Sequence, residues 1–345
     1  MTAAVLEKCG QPLQLLELEI PKLKQGQVLV KISHSAICRS QVMEIKGLRG
    51  RDKWLPHLLG HEGSGVVIDV GTGVTKVRPR DEVILSWIKS SGLEAEPPKY
   101  SHNGRAINAG PITTFNNYSI VSENRVVLKP AGLKMDSAAL FGCALATGSG
   151  MVLNELTFKK SDKVLVLGLG GIGMSALLAL RASGINDAVA ADKDEAKCAL
   201  ARSLGFLTIR LSPSDRSVIH TQIAPNGFDY CIEAGGSVES IELGFASINA
   251  SSGVLLFASH PPHGQHISLD PHELISGKQI RGSWGGATNP DTDLPKLAKL
   301  YKRSAVNLSK LTENKFPLAN INEAVEEFTK GNLFRPILVM DHPGR

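Results

Sequence analysis

Lys163-Val164-Leu165-Val166-Leu167-Gly168-Leu169-Gly170-Gly171-Ile172-Gly173 is the stretch on which the reading of this chain turns. Val164–Leu167 is a short, wholly apolar run, the pattern of a strand buried on both faces. It runs directly into a glycine-rich turn that opens a helix. Gly168 permits the tight turn, Gly170 lets the backbone approach a pyrophosphate, and Gly173 lets the helix pack on the strand. Gly171 and Ile172 complete the turn, and the helix N-terminus turns its N–H groups and positive dipole end toward phosphates. A glycine-rich turn alone is also compatible with a purely structural role. Asp192, nineteen residues beyond Gly173 at the end of the next strand, adds chemistry. A carboxylate there accepts hydrogen bonds from an adenosine ribose diol and repels a 2′-phosphate, which predicts NAD. Lys193 beside it keeps NADP as the second choice.

Working outward, apolar runs recur at Ala188–Ala191, Leu207–Ile209, Asp229–Ile232, Val254–Phe257 and Gln279–Arg281, with helical spacing over Ile172–Ser183 and Asp194–Leu204. Six strands alternating with helices predict an α/β, doubly wound, six-stranded parallel sheet. The first third reads differently. Gln27–Ile32, Gly65–Val70, Glu82–Leu85 and Tyr118–Val121 are short strand candidates punctuated by Gly and Pro, predicting a β-rich barrel or sandwich. Ser86 to Thr114, with Pro97-Pro98 and Asn103-Gly104, reads as a long irregular loop. Ile337–Met340 reads as a closing strand. The expected division is a β-rich domain over 1–144 and 288–345 and a nucleotide domain over 145–287.

At 345 residues the chain is long enough for these two cores. Its 42% hydrophobic and 21% charged residues are those of a globular protein. The net charge of +5 is spread without a basic block, which speaks against a nucleic-acid or membrane-surface partner. Met1–Gly10 lacks the apolar core of a signal peptide, and no run reaches membrane-spanning length, so a cytoplasmic protein is expected. Five scattered cysteines do not form a disulfide framework.

Cys38, His61 and Cys143 are candidate metal ligands. Taken singly, each is better read as a buried thiol or a satisfied core imidazole, and their spacing contains no paired motif. Their surroundings change the reading. The GHEGSGVVIDVGTGV stretch from Gly60, the FGCALATG stretch from Phe141, the GLGGIG turn and the C-terminal strand resemble the zinc-dependent alcohol dehydrogenases of the medium-chain dehydrogenase/reductase family, nearly end to end. The resemblance implies a GroES-like catalytic domain beside the Rossmann domain. It also implies one catalytic Zn²⁺ on Cys38, His61 and Cys143 with a fourth position for water or substrate oxygen, an open set proper to catalysis.

By the same resemblance, Glu62 lies near the metal and Ser40 takes the proton of the alcohol. Arg39 and Arg335 contact the pyrophosphate, Thr147 packs on the nicotinamide, and Lys197 supports the ribose beside Asp192. Trp87 and Phe115 fall at the substrate pocket. His260, in Phe257-Ala258-Ser259-His260-Pro261-Pro262, either points into that pocket or is a solvent-facing loop histidine. A homodimer or homotetramer formed through the edge of the nucleotide domain follows from family habit.

Three departures stand out. No cysteine lies between Cys38 and Cys143, so the family's four-cysteine structural-zinc lobe is not expected. Gln41 replaces an aspartate that normally accepts from the zinc-bound histidine, which removes a charge behind the metal. Met43 replaces a histidine that passes the proton onward, leaving ribose and water. The implied activity is reversible oxidation of an alcohol to an aldehyde or ketone. The alternatives are a polyol, amino-alcohol or hydroxy-acid dehydrogenase of the same chemistry, a zinc-free quinone or enoyl reductase, and a non-catalytic NAD-binding protein with a vestigial metal site. Cys9, Cys198 and Cys231 are left as ordinary thiols.

Overall fold

The computed structural model describes residues 1–212, 223–304, 306–331 and 333–342. The chain divides into two compact units. One is Met1–Cys143 with Asn289–Lys299 and Asn307–Arg345, and the other is Ala144–Thr288 with Leu300–Val306. The second unit thus takes in Leu300–Val306 from the C-terminal part of the chain. That segment joins the second unit because Tyr301, 1% exposed, puts its hydroxyl 2.6 Å from Ser149 Oγ. The last three residues of the expected C-terminal piece lie outside the described residues.

In the second unit, six strands among the described residues form one parallel sheet. Its order is Leu207–Arg210, Ala188–Asp192, Val164–Leu167, Tyr230–Glu233, Val254–Phe257, Gln279–Gly282. All six sit where apolar runs were read, and the order reverses direction beside Val164–Leu167, where such sheets bind ligands. Leu165, Leu167, Val189, Phe228, Phe245 and Leu255 build the core on one face. Gly168 has φ +85°, which only glycine adopts without strain. A Cβ on Gly173 would lie 1.9 Å from the Gly168 carbonyl oxygen, so no side chain fits where helix Gly171–Ala182 leaves the turn.

Among the described residues the first unit has two sheets. The larger runs Val126–Leu128, Glu82–Ser86, Glu62–Val70, Gln27–Ala36, Ile337–Val339, Lys315–Pro317, with Tyr118–Ser122 also on Gln27–Ala36. Gln27–Ala36 holds it together: its first half pairs with Tyr118–Ser122 and its last residues with Ile337–Val339, opposite one continuous neighbour. Val28, Val30 and Ile32, alternating along it, are fully buried, as period-two patterning requires.

Ser86 to Thr114 is not irregular throughout. Lys99–His102 and Arg105–Asn108 form a hairpin, with Tyr100 opposite Ile107. Asn103 and Gly104 at its tip have φ +51° and +80°, the two-residue turn this dipeptide favours. Each strand shows a single buried residue among polar ones, so alternation was too short to read. The remainder is tied to Glu123. Its buried carboxylate accepts from the N–H groups of Thr75, Lys76 and Leu93 at 2.7–2.8 Å. Ser122 Oγ accepts from Ala95 N–H and donates to the Leu93 carbonyl. Burial alone would push the Glu123 carboxyl up, but these donors together hold it below the usual carboxylate range.

Such a group stabilises the fold above its unfolded pKa, and that contribution is lost as pH falls through the lower folded value. Glu123→Gln, which turns an amide N–H₂ toward a donor, is expected to cost about 2 kcal/mol in urea unfolding at pH 7. The difference from wild type should shrink as pH falls below ~4. Equal stability at pH 7 would show that the carboxylate does not hold the loop.

Candidate active site

Strand Gln27–Ala36 ends two residues before Cys38, which stands at the N-cap of helix Arg39–Ile45 and makes no capping hydrogen bond with its side chain. His61 lies in the turn between strands His57–Leu58 and Glu62–Val70. Cys143 follows helix Met135–Leu140. A Cβ on Gly142 would stand 2.1 Å from the Leu85 carbonyl oxygen, and Ser86 Oγ donates to the Gly142 carbonyl at 2.8 Å. This contact presses the segment against strand Glu82–Ser86 and delivers the thiol. The Cys38 and Cys143 sulfurs and a His61 ring nitrogen all lie within 4.8 Å of one another.

The electrostatics match a cation site. The Cys143 thiol beside Cys38, the Arg335 guanidinium and His61 together hold Cys38 well below the usual thiol range, against burial. Hydrogen bonding to the Cys38 thiolate, then burial, pushes Cys143 well up. A divalent ion bound there would displace the thiol protons. His61 Nε2 is buried without a hydrogen-bond partner, while the Gln41 amide contacts Nδ1. The amide nitrogen faces the ring and Oε1 has no partner. Turning the amide over lets Nδ1–H donate to Oε1 and leaves the Nε2 lone pair for a metal. Two sulfurs and one imidazole nitrogen with an unshared lone pair suit Zn²⁺.

Trp87 meets His61 edge-on at 6.4 Å between ring centroids, and its indole favours the thiolate form of Cys143. Arg125 donates to the Trp87 carbonyl and fixes that residue's backbone. Sequence reasoning missed Arg125, since nothing around it signals a contact 38 residues away. Ser40 Oγ is buried and unpartnered, one turn-start removed from Cys38. Arg39 is exposed. Met43 is buried in the same helix.

Two expected placements are corrected. Arg335, 3% exposed, does not stand free for a pyrophosphate, because its guanidinium pairs with the fully buried Glu62 carboxylate. Burial of both charges requires that pairing. Phe115 is fully buried in the barrel core with Leu59, Val121 and Ile37, so it packs the core instead of lining a pocket. Lys197 pairs at 3.4 Å with Asp194, the N-cap of its own helix. His260 is exposed, its Nδ1 facing the Pro261 carbonyl, the solvent-facing arrangement.

In the second unit, helix Gly171–Ala182 starts at Gly170 without a side-chain cap. A Cβ on Gly170 would meet nothing within 4 Å, so the backbone there is bare to an approaching ligand. Asp192 Oδ2 accepts from Leu169 N–H at 2.6 Å and Oδ1 from Asp194 N–H at 2.9 Å, which holds the carboxylate against the glycine turn. Each oxygen keeps a second lone pair. Thr147, in helix Ala144–Gly150, has a buried hydroxyl oxygen with no partner. That helix packs on the turn's helix, where Ser149 and Ser175 hydroxyls meet at 2.9 Å. The bare turn and the orphaned hydroxyl fit a dinucleotide.

Two family models match: the alcohol dehydrogenase GroES-like domain over residues 24–131 and the zinc-binding dehydrogenase domain over 171–303. Among curated proteins, the S-(hydroxymethyl)glutathione dehydrogenase of Synechocystis sp. is 27% identical, covering 97% of this chain and 98% of its own. That of Haemophilus influenzae is 28% identical, covering 97% and 96%. The alcohol dehydrogenase zinc-binding domain protein of Burkholderia ambifaria superposes with a TM-score of 0.90 at 26% identity over 99% of both chains. Fold, metal-ligand set and these matches define an oxidoreductase acting on the CH–OH group of alcohols, of a type that uses zinc and NAD(P). The chain belongs to the zinc-type alcohol dehydrogenases of the medium-chain dehydrogenase/reductase family.

Proposed function

We propose that the protein is an NAD-dependent alcohol dehydrogenase with one catalytic zinc per chain, held by Cys38, His61 and Cys143. The observation that carries this reading is the unpartnered Nε2 of His61, with the sulfurs of Cys38 and Cys143 and a His61 ring nitrogen all within 4.8 Å of one another. Zinc there supplies Lewis-acid stabilisation of negative charge on an alcohol oxygen, and NAD supplies the hydride acceptor. Ser40 Oγ, buried and without a partner, accepts the hydroxyl proton of the alcohol. Met43, three residues on in the helix, offers no base, so the proton leaves Ser40 toward the cofactor ribose and water. Gln41 fixes the His61 ring without adding charge, and the Glu62–Arg335 pair keeps a buried, balanced charge behind the ligands. Trp87 forms an apolar wall beside the metal ligands.

The N–H groups of Gly170–Gly173 receive the pyrophosphate, Thr147 supports the nicotinamide, and Asp192 accepts from the ribose diol. The Asp192 carboxylate repels a 2′-phosphate, so NAD is preferred over NADP. No structural zinc is expected over Ser86 to Thr114, which lacks cysteine and is tied to Glu123 and Ser122. Among the described residues no helix is long and apolar enough to cross a membrane, and a cytoplasmic location is part of this reading. Association through the open edge of the nucleotide sheet, near exposed Ile275 and Trp284, makes a homodimer or homotetramer. Sedimentation velocity reads this directly, and a monomer at micromolar concentration would refute it.

The test is a panel of primary, secondary, polyol, amino-alcohol and hydroxy-acid substrates with NAD and NADP. S-(hydroxymethyl)glutathione, named in both relatives, belongs in it. NAD-linked turnover faster than NADP-linked is expected. Ser40→Ala should lower kcat by about 10²-fold and alter its pH profile, with zinc content unchanged. Tight NAD binding with no turnover on any alcohol would instead favour a non-catalytic protein.

A further inference from the structure

We propose that the chain binds a second divalent transition-metal ion through Glu44, Asp52 and His57, distinct from the Cys38, His61 and Cys143 set. Among the described residues these are the two groups of three or more His, Cys, Asp or Glu whose ligand atoms converge within 4.8 Å. His57 is buried, and its Nδ1 lies 3.0 Å from the Leu58 carbonyl oxygen. That oxygen can only accept, so Nδ1 carries its hydrogen. In this tautomer Nε2 holds a lone pair, yet it faces Asp52 Oδ2 at 2.8 Å. Two electron-rich atoms at that distance need a cation, either a second ring proton or a metal ion. An Nδ1–H donating to a backbone carbonyl is also the arrangement that aims the other nitrogen at a metal. Asp52 Oδ1 accepts from Trp54 N–H at 2.9 Å, which orients the carboxylate.

Glu44 brings a second carboxylate from the last turn of helix Arg39–Ile45. Its Oε2 lies 3.5 Å from Nη1 of Arg49, a half-exposed side chain that can turn to water. A cavity of about 320 Å³ opens on Glu44 and Asp52, with Cys9 also in its wall, giving room for an ion with its waters. One imidazole and two carboxylates suit Zn²⁺ or Co²⁺. Arg49, Arg51 and Lys53 line the same cavity and oppose a cation, so this site fills at higher free metal than the catalytic one. Glu44 shares its helix with Ser40 and Gln41, and His57 lies four residues before His61. A bound ion therefore ties together the two segments that carry Cys38 and His61.

The test is equilibrium dialysis of the purified, zinc-loaded enzyme against rising Zn²⁺, from about 1 μM to 1 mM, with Tm followed in parallel. Wild type is expected to take up one further equivalent and to gain Tm as it does so. Asp52→Asn and Glu44→Gln, at half-buried positions, should each weaken that second uptake by about 10-fold or more while retaining the first equivalent. His57→Gln should abolish it. Absence of a second equivalent in wild type up to 1 mM would overturn the proposal and assign a ring proton to His57. A second equivalent that survives both carboxylate variants unchanged would overturn it equally, as binding at other surface donors.

Discussion

Cys38→Ala should leave a folded chain that no longer retains zinc through dialysis against a mild chelator and oxidises alcohols at least ~10³-fold more slowly. The magnitude follows from the several kcal/mol that a Lewis acid contributes to charge stabilisation at an alcohol oxygen, with about 1.4 kcal/mol per factor of ten. The fold should survive because Cys38 makes no capping hydrogen bond and its neighbours Ile37 and Val42 carry the local packing. Removing the thiol also removes the partner that pushes Cys143 up, so Cys143 should revert toward an ordinary buried thiol and not hold the metal with His61 alone. Nucleotide binding should persist, because the glycine turn belongs to the other unit. Elemental analysis, alcohol turnover and NAD titration on one preparation check all three. Retention of both zinc and turnover would exclude the assigned ligand set.

Gly173→Ala is expected to be the most damaging single-methyl change in the nucleotide unit. The added Cβ would stand 1.9 Å from the Gly168 carbonyl oxygen and 3.3 Å from Val166 Cγ1. Neither strand Val164–Leu167 nor helix Gly171–Ala182 can yield easily, since the strand is paired on both sides and the helix is buried along Gly173–Leu180. Overpacking of this kind costs about 3 kcal/mol. Separating helix from strand also spoils the N–H array, so NAD affinity should fall at least ~100-fold, the equivalent of about 2.8 kcal/mol. Urea unfolding and NAD titration read the two effects separately. An alanine variant with native NAD affinity would show that the turn does not bind the pyrophosphate.

Much of this molecule is legible along the chain because its information is local. Parallel strands buried on both faces read as apolar runs whatever surrounds them, so Val164–Leu167 and Val254–Phe257 were found with their observed bounds. The hairpin over Lys99–Asn108 was not, since each strand shows only one inward residue, Tyr100 or Ile107. The metal ligands occupy an intermediate position. Cys38, His61 and Cys143 carry no spacing signal of their own, and only the motifs around them marked them out. Their convergence within 4.8 Å depends on a strand end, the connection between two strands and a helix end meeting in one place.

The chain by itself determined which residue types stand at the glycine turn, at the ribose acid and at the motifs around the metal ligands, because turn chemistry and periodicity act over a few residues. Partner choice lay beyond it. Arg335 was assigned to a phosphate until folding placed it on Glu62, where two charges excluded from water neutralise each other. Phe115 was assigned to a pocket until strand packing enclosed it. His57 and Asp52 had no assigned role until the turn after helix Arg39–Ile45 brought them to 2.8 Å. Desolvation, which settles how a charged or aromatic side chain is used, depends on atoms distant in sequence, and only the folded chain brings those atoms together.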